Sequence, residues 1–309
     1  KDSRLCGNIG NPILAEKKIS KNTLFVIEAS SYQIEYSKLF KTNFAVILNI
    51  SPDHLERHGS IDSYVKAKFK LIINQSKKDF AYVNSKNKYL KSIIKNKKIF
   101  SKIIKVNPKA NTNFYKKIQN PYFFTEGNKE NLSFIFALSK KLNLKKKKIV
   151  KTINKFKGLK YRQQIIYNSS RIKIINDSKS TTFASTANIL RSLKKVFWIV
   201  GGIGKYGDKF TFKKNECKDI SAYIFGRKKN FFIKQFKKKL SYQCFKSLEK
   251  ATKQVFKEID NNKNNLRKTV LFSPSAASFD SFKNFEERGE YFNFLVKKYK
   301  VKGTINVIR

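Results

Sequence analysis

The sequence contains no methionine, three cysteines and two histidines, and its 21 acidic residues are outnumbered by 68 lysines and arginines. Each scarcity excludes something. Cys6, Cys217 and Cys244 are odd in number, widely spaced and form no Cys-x-x-Cys pair, which fits a reducing compartment and not a disulfide framework. No apolar run approaches the ~20 residues that span a bilayer, and no signal-peptide pattern opens the chain. The expectation is a soluble cytoplasmic protein without membrane insertion. The missing methionine, together with a start at Lys1-Asp2-Ser3, leads to the further expectation of a fragment whose beginning lies upstream.

The formal charge of +47 raises a nucleic-acid reading, because a dense basic surface binds phosphate backbones by releasing counterions. The scarcity of arginine weighs against it. The excess is nearly all lysine, spread from end to end and accompanied by abundant Asn, Ile and Phe, whereas specific phosphate and base contacts rely on arginine forks. No specific nucleic-acid partner is expected, only non-specific adhesion at low salt.

With 309 residues and 40% hydrophobic content, the chain is long enough for two cores. Its most informative stretch is 45–70, AVILNISPDHLERHGSIDSYVKAKFK. An apolar run, Ala45 to Leu48, turns polar at Asn49 and breaks at Ser51-Pro52. Asp53, His54 and His58 follow, before a helical pattern that contains Lys68. A buried strand ending in ligand-type residues marks the crevice side of an open α/β sheet. His58, in polar surroundings, reads as a surface or turn residue. The run 24–27 is a second such strand, closed by Glu28, whose carboxylate is placed to hold Mg²⁺ or to neutralise a helix N-terminus. Gly7-Asn8-Ile9-Gly10 reads as a turn that permits close backbone approach to a ligand; an ordinary loop is the plainer reading.

Helices are expected over 60–74, with Ser60 as N-cap, and over 128–142 and 145–156, the last with a solvated lysine face. A strand is expected at 80–84, with short strands and loops over 85–120. At Gly158 the pattern restarts, with apolar strands at 172–175, 196–200, 222–225 and 269–272 and a helix over 182–193. This alternation predicts an α/β fold with a parallel, doubly wound sheet, and a domain boundary that separates 1–157 from 158–309.

Several blocks occur in a recognisable order: Gly7-Asn8-Ile9-Gly10, Glu28-Ala29-Ser30-Ser31-Tyr32-Gln33, Ser51-Pro52-Asp53-His54, Tyr64-Val65-Lys66-Ala67-Lys68, Gly158-Leu159-Lys160-Tyr161-Arg162, Asn176-Asp177-Ser178-Lys179-Ser180-Thr181, and a long block from Ser273 to Gly289. Together they resemble the Mur ligase family over essentially the whole chain. The last block is the most specific, and resembles the family's D-glutamate-adding branch. The resemblance implies a central ATPase-type α/β domain, N-terminally truncated, in 1–157, and a Rossmann-like, amino-acid-binding domain in 158–309. It also implies an ATP- and Mg²⁺-dependent amide ligase of peptidoglycan precursor synthesis, monomeric at full length, whose substrates are UDP-N-acetylmuramoyl-L-alanine and D-glutamate. In such a reaction the substrate carboxylate takes the γ-phosphoryl group, and the amine attacks the acyl phosphate. The crowding of negative charge calls for metal and cationic clamps.

Carried over by position, Glu28 and His54 are implied as metal ligands and Lys68 as a third, after carbamylation. A carbamate offers anionic oxygens where an ammonium has no lone pair. Lys179 is implied in the cleft near the phosphates. Asn128 and Asn131 fall near the adenine, Arg162 at phosphate, Asp177 at the ribose and Asn8 at the uridine nucleotide. Thr181, Lys205, Ser278 and Phe285 match the D-glutamate pocket, though core packing alone would also explain Phe285. The sequence departs from the pattern in lacking a Gly-Thr-Asn-Gly-Lys-Ser/Thr phosphate loop, in Gly127 and Tyr161 where histidine is usual, and in Ile203 where a carboxylate is common. The fragment alone is therefore expected to be inactive. Alternatives are another Mur ligase or a folylpolyglutamate-synthase-like amide ligase, or a non-catalytic relic that binds an anionic partner.

Overall fold

The structure is a computed structural model that describes residues 2–108, 112–262 and 266–299. Two compact units are present: residues Lys1–Tyr115 with Glu130–Lys145, and Lys116–Lys129 with Lys146–Arg309.

In the first unit, β1 (Ser3–Gly7) pairs in parallel with β2 (Leu24–Glu28), so the segment expected to be only a turn begins as a strand. After the short α1 (Ser31–Tyr36), β3 (Phe44–Ile47) leads through α2 (Leu55–His58) into α3 (Ile61–Ile73). The remaining elements are β4 (Phe80–Asn84), α4 (Lys88–Asn96), β5 (Lys102–Val106), α5 (Thr112–Tyr115) and α6 (Glu126–Lys141), the last of which continues from the second unit into the first. Strands β3, β4 and β5 form a parallel sheet. Helix α3 forms where the sequence predicts it. Ser60 accepts a hydrogen bond from Ser63 N, and Tyr64, Val65, Ala67, Phe69 and Ile72 are buried, a spacing that puts one face of the helix against the sheet. That face joins Ala45, Ile47, Ala81 and Val83 in a single core. One departure is α4, where loops and short strands were expected. Its N-cap Asn87 accepts from Leu90 N, and Leu90 is its one fully buried residue.

The second unit contains α7 (Lys146–Lys155), β6 (Gln164–Asn168), β7 (Ile172–Asn176), α8 (Phe183–Arg191), β8 (Val196–Gly201), β9 (Ile220–Phe225), α9 (Lys229–Phe236), β10 (Ser241–Cys244), α10 (Leu248–Asn261), β11 (Lys268–Phe272) and α11 (Phe285–Lys298). The strands form a six-stranded sheet in the order β10-β9-β8-β11-β7-β6, parallel except for the antiparallel edge strand β6. Strands β8 and β11 are nearly continuous apolar runs because both of their faces are covered. One core packs α8 and α9 residues Phe183, Ile189, Phe232 and Phe236 against Trp198. The other packs Val255, Phe256, Phe292 and Leu295 of α10 and α11 against Ile174 and Phe272. Covered on both faces, the sheet is doubly wound as predicted. Its topology brings the loops after β7, β8 and β11 to one end, the crevice side of such sheets.

Candidate functional site

The first unit gathers its predicted residues around the loop after β3. His54 adopts a left-handed conformation (φ 56°, ψ 30°) as N-cap of α2, a region that few residues other than glycine occupy without cost. Its backbone N–H donates to Asp53 Oδ1 at 3.0 Å, and its Nδ1 shares a 2.8 Å hydrogen bond with the Tyr32 hydroxyl. Tyr32 is also stacked on His58, with centroids 5.5 Å apart and planes 6° from parallel.

His58 corrects the sequence reading. It is buried, not at the surface, and its Nε2 lies 3.0 Å from Ser31 Oγ. Tyr32 thus contacts both histidines, meeting the His54 ring edge-on with centroids 5.1 Å apart and the His58 ring face to face. Neither Tyr32 nor Ser31 was singled out by the sequence, although both lie in the Glu28–Gln33 block.

Asn8 follows β1 and bonds Glu28 twice, through its backbone N–H to the Glu28 carbonyl at 2.8 Å and through Nδ2 to Oε1 at 3.2 Å. The parallel pairing of Gly7 with Glu28 sets this contact. Lys68, on α3, is half-buried with Nζ 5.0 Å from the centroid of the Tyr64 ring. Burial lowers its pKa below the ordinary lysine value, while the charges of Asp53 and Glu28 pull it back up. Among the described residues no group of three or more His, Cys, Asp or Glu side chains could hold a metal ion. An ion held by Glu28 and His54 would need a donor of another kind.

In the second unit, Asp177 opens the loop after β7. Its Oδ1 accepts from Gln163 N at 3.0 Å and its Oδ2 from Ser273 Oγ at 2.8 Å. Burial pushes its carboxyl up to about 7, against the pull of these bonds and of the Arg162 charge. Arg162 lies between Tyr161 (φ 61°) and Gln163 (φ 47°), both left-handed. That strained turn is held by Lys179 N donating to the Tyr161 carbonyl at 2.9 Å, and by the Gln163 bond to Asp177. Gln163 Oε1 also accepts from Asn128 Nδ2 at 3.4 Å and from Thr125 Oγ1 at 3.2 Å. Asn128, Arg162 and Asp177 are thus linked through Gln163, which the sequence reading missed. Beside them Tyr122, Thr125 and Gln163 line a cavity of about 110 Å³. Asn131 lies one turn further along α6, in the first unit. A larger cavity of about 460 Å³, in the first unit, is lined by Asn84, Lys91, Lys95 and Lys105 and includes none of the predicted residues.

Lys179 places Nζ 3.8 Å from the centroid of the Phe285 ring, a cation–π contact that joins two predicted residues. Thr181 is half-buried just before Thr182, the N-cap of α8. Ser278 is buried and its carbonyl accepts from Phe282 N at 3.0 Å. Lys205 lies in the loop after β8, which is joined to the loop after β11 by the reciprocal bonds of Ile203 and Ala277 at 3.0 and 2.9 Å. No helix among the described residues is long and apolar enough to cross a membrane.

Comparison with known proteins identifies the family. The model of the Mur ligase middle domain matches residues 7–168. A protein of Rickettsia felis named UDP-N-acetylmuramoylalanine–D-glutamate ligase is 34% identical over 315 residues, covering 96% of this chain and 70% of that protein. One of the same name from Elusimicrobium minutum is 33% identical over 94% of this chain and 67% of its own length. Among solved structures, the MurF ligase of Thermotoga maritima in complex with ADP superposes with a TM-score of 0.65 at 14% identity, over 90% of this chain and 67% of that one. FolC of E. coli in complex with DHPP and ADP gives 0.57 at 12% identity, over 89% of this chain and 67% of that one. The chain belongs to the Mur ligase family.

Proposed function

We propose that the chain is the ATP-dependent ligase that joins D-glutamate to UDP-N-acetylmuramoyl-L-alanine in cytoplasmic peptidoglycan precursor synthesis. The observation that carries this reading is the extent of the similarity. It runs through 96% of the chain, including the block from Ser273 to Gly289 that resembles the D-glutamate-adding branch, and is not confined to the nucleotide-binding middle domain.

Two features of the site support the chemistry. Lys68 is half-buried with its pKa lowered, which raises the fraction of uncharged amine. Such an amine can add to CO₂, releasing a proton and leaving a carbamate. Together with Glu28 this would supply hard oxygen donors for Mg²⁺, with the His54 imidazole as a third ligand. Bound there, the ion supplies neutralisation of the phosphate charge. Tyr32 fixes the His54 ring through Nδ1, which leaves Nε2 as the ligating nitrogen.

On the nucleotide side, Asn128 and the small cavity beside Gln163 suit the base. Asp177, bonded to the same Gln163, suits the adjoining ribose. Asn131 adds a second amide along α6, and Arg162 a cation for phosphate. Asn8, on Glu28, would meet the uridine nucleotide. Lys179 would stabilise charge on the acyl phosphate. Thr181, Lys205, Ser278 and Phe285 would hold the amino acid whose amine attacks the acyl carbon, with phosphate as the leaving group. The nucleotide would thus be held by residues of both 1–157 and 158–309, and the amino acid by residues of 158–309, in a protein that acts as a monomer.

The reading is tested by ATP-dependent phosphate release from the protein at its full encoded length. UDP-N-acetylmuramoyl-L-alanine is supplied with D-glutamate, L-glutamate, L-lysine or meso-diaminopimelate in turn. Release with D-glutamate at least a hundred times that with the others is expected; equal or greater release with another amino acid refutes the assignment.

A further inference from the structure

Arg288, in the first turns of α11, has no exposed surface. Removing a guanidinium from water costs several kcal/mol unless its donors are matched, so the position of every donor matters. Nε donates to Ser178 Oγ at 3.1 Å and Nη2 to the Ser178 carbonyl at 2.8 Å. Ser178 Oγ in turn donates to the Phe285 carbonyl at 2.9 Å. Nη1 is buried without a hydrogen-bond partner, and so is Oδ2 of Asp280. Each of these two atoms lies close to a glycine. A Cβ at Gly202 (φ 125°) would come to 3.2 Å from Nη1 and 2.4 Å from the Ala277 carbonyl. A Cβ at Gly226 (φ 93°) would come to 3.0 Å from Asp280 Oδ2 and 3.8 Å from Gly202 N.

Three loops therefore meet at one side chain. The turn after β7 carries Lys179, directly after Ser178, and Thr181 two residues further on. The loop after β8 starts at Gly202 and carries Lys205. The segment after β11 carries Ser278, Asp280 and Phe285. These are the residues assigned above to the amino acid, with Lys179 beside them, so the inference rests on that reading.

We propose that Arg288 is a positioning residue that sets the amino-acid pocket, holding the three loops in register without touching substrate. Its planar fork grips Ser178 through two atoms and leaves a third donor under Gly202. Lysine has no such fork and cannot reproduce both contacts with one ammonium. Loosening this joint shifts the substrate carboxylate contacts on all three loops, while the nucleotide contacts, which run through Gln163 and Asp177, stay in place. The pocket affected is one for an amino acid with a second carboxylate.

The experiment is steady-state kinetics of the protein at full encoded length, with D-glutamate, ATP and the UDP-linked substrate varied separately. For R288K, KM for D-glutamate is expected to rise at least ten-fold, with KM for ATP and for the UDP-linked substrate within two-fold of wild type. S178A, which cuts the link from Nε to the Phe285 carbonyl, is expected to raise the same constant selectively by a smaller factor, and decides by the same criterion if R288K does not fold. A D-glutamate KM within two-fold of wild type, or a parallel rise of all three constants with a lowered melting temperature, would overturn the positioning role. Wild type without D-glutamate-dependent turnover would overturn the functional reading and this inference with it, whereas an active wild type with an unresponsive R288K overturns the inference alone.

Discussion

At the scale of single residues, Asp177 has the clearest electrostatic consequence. Its carboxyl is raised from an ordinary 3.8 to about 7, chiefly by burial. Below about pH 4 both the folded and unfolded forms are protonated, and the group contributes no pH dependence. Between about 4 and about 7 the fold holds a proton that the unfolded chain has lost, so stability falls as pH rises. Above about 7 the penalty for the buried charge is fully present. An asparagine can accept from Gln163 N and donate to Ser273 Oγ, and carries no charge. The stability advantage of D177N over wild type, measured by urea midpoints, is therefore expected to grow from pH 4 to pH 7 and then level. A difference constant with pH would contradict this origin. The same substitution removes a carboxylate from the proposed ribose site, so a rise in KM for ATP should accompany the gain in stability.

At the scale of elements, α3 ties Lys68 to the core. Phe69 is 1% exposed and adjoins Lys68 in sequence, so truncating it leaves a cavity beneath the helix that carries the candidate ligand. F69A should cost about 3–5 kcal/mol of stability, and alanine at the exposed Lys66 less than about 0.5 kcal/mol, both measured by denaturant unfolding. Equal effects would mean that the face assignment is wrong. Helix α3 was legible because a serine cap and apolar residues at helical spacing coincide. Strands β7, β8, β9 and β11 were legible because parallel strands covered on both faces read as apolar runs, and β3 and β4 because each is a short, largely apolar run between polar residues.

Helix α10 was missed although it too has a serine cap and buried apolar residues at helical spacing; other missed elements carry weaker signals. Helix α4 fully buries only Leu90, with Tyr89, Ile93 and Ile94 partly buried against the core. Strand β10 has a mostly exposed pattern, and β6 is an antiparallel edge interrupted by a register shift. The burial of His58 depends on Tyr32 and Ser31, more than twenty positions earlier in the chain. Gln163 and Arg288 gain their roles from loops that only the sheet topology brings together. Arg288 lies inside the most recognisable block, yet after two glutamates on a helix it resembles any surface charge.

At the scale of the whole molecule, the site residues are divided between two compact units. The first holds the proposed metal ligands, and the second the buried Asp177 network and the loops joined at Arg288. The excess of +47 favours encounter with anionic substrates at low salt, and selectivity must come from the placed residues. A ligase of this kind differs from an ATPase in the fate of one oxygen. Activation by phosphoryl transfer moves a carboxylate oxygen of the UDP-linked substrate to phosphate when the amine displaces it, whereas hydrolysis of ATP takes that oxygen from water.

The most direct measurement is therefore mass analysis of the phosphate released when the protein at full encoded length turns over ATP, D-glutamate and UDP-N-acetylmuramoyl-L-alanine labelled with ¹⁸O in its carboxylate. The account predicts that each phosphate, from fully labelled substrate, carries one ¹⁸O, in equal number to the amide bonds formed and only when D-glutamate is present. Unlabelled phosphate, or labelled phosphate that requires a different amino acid, would contradict it.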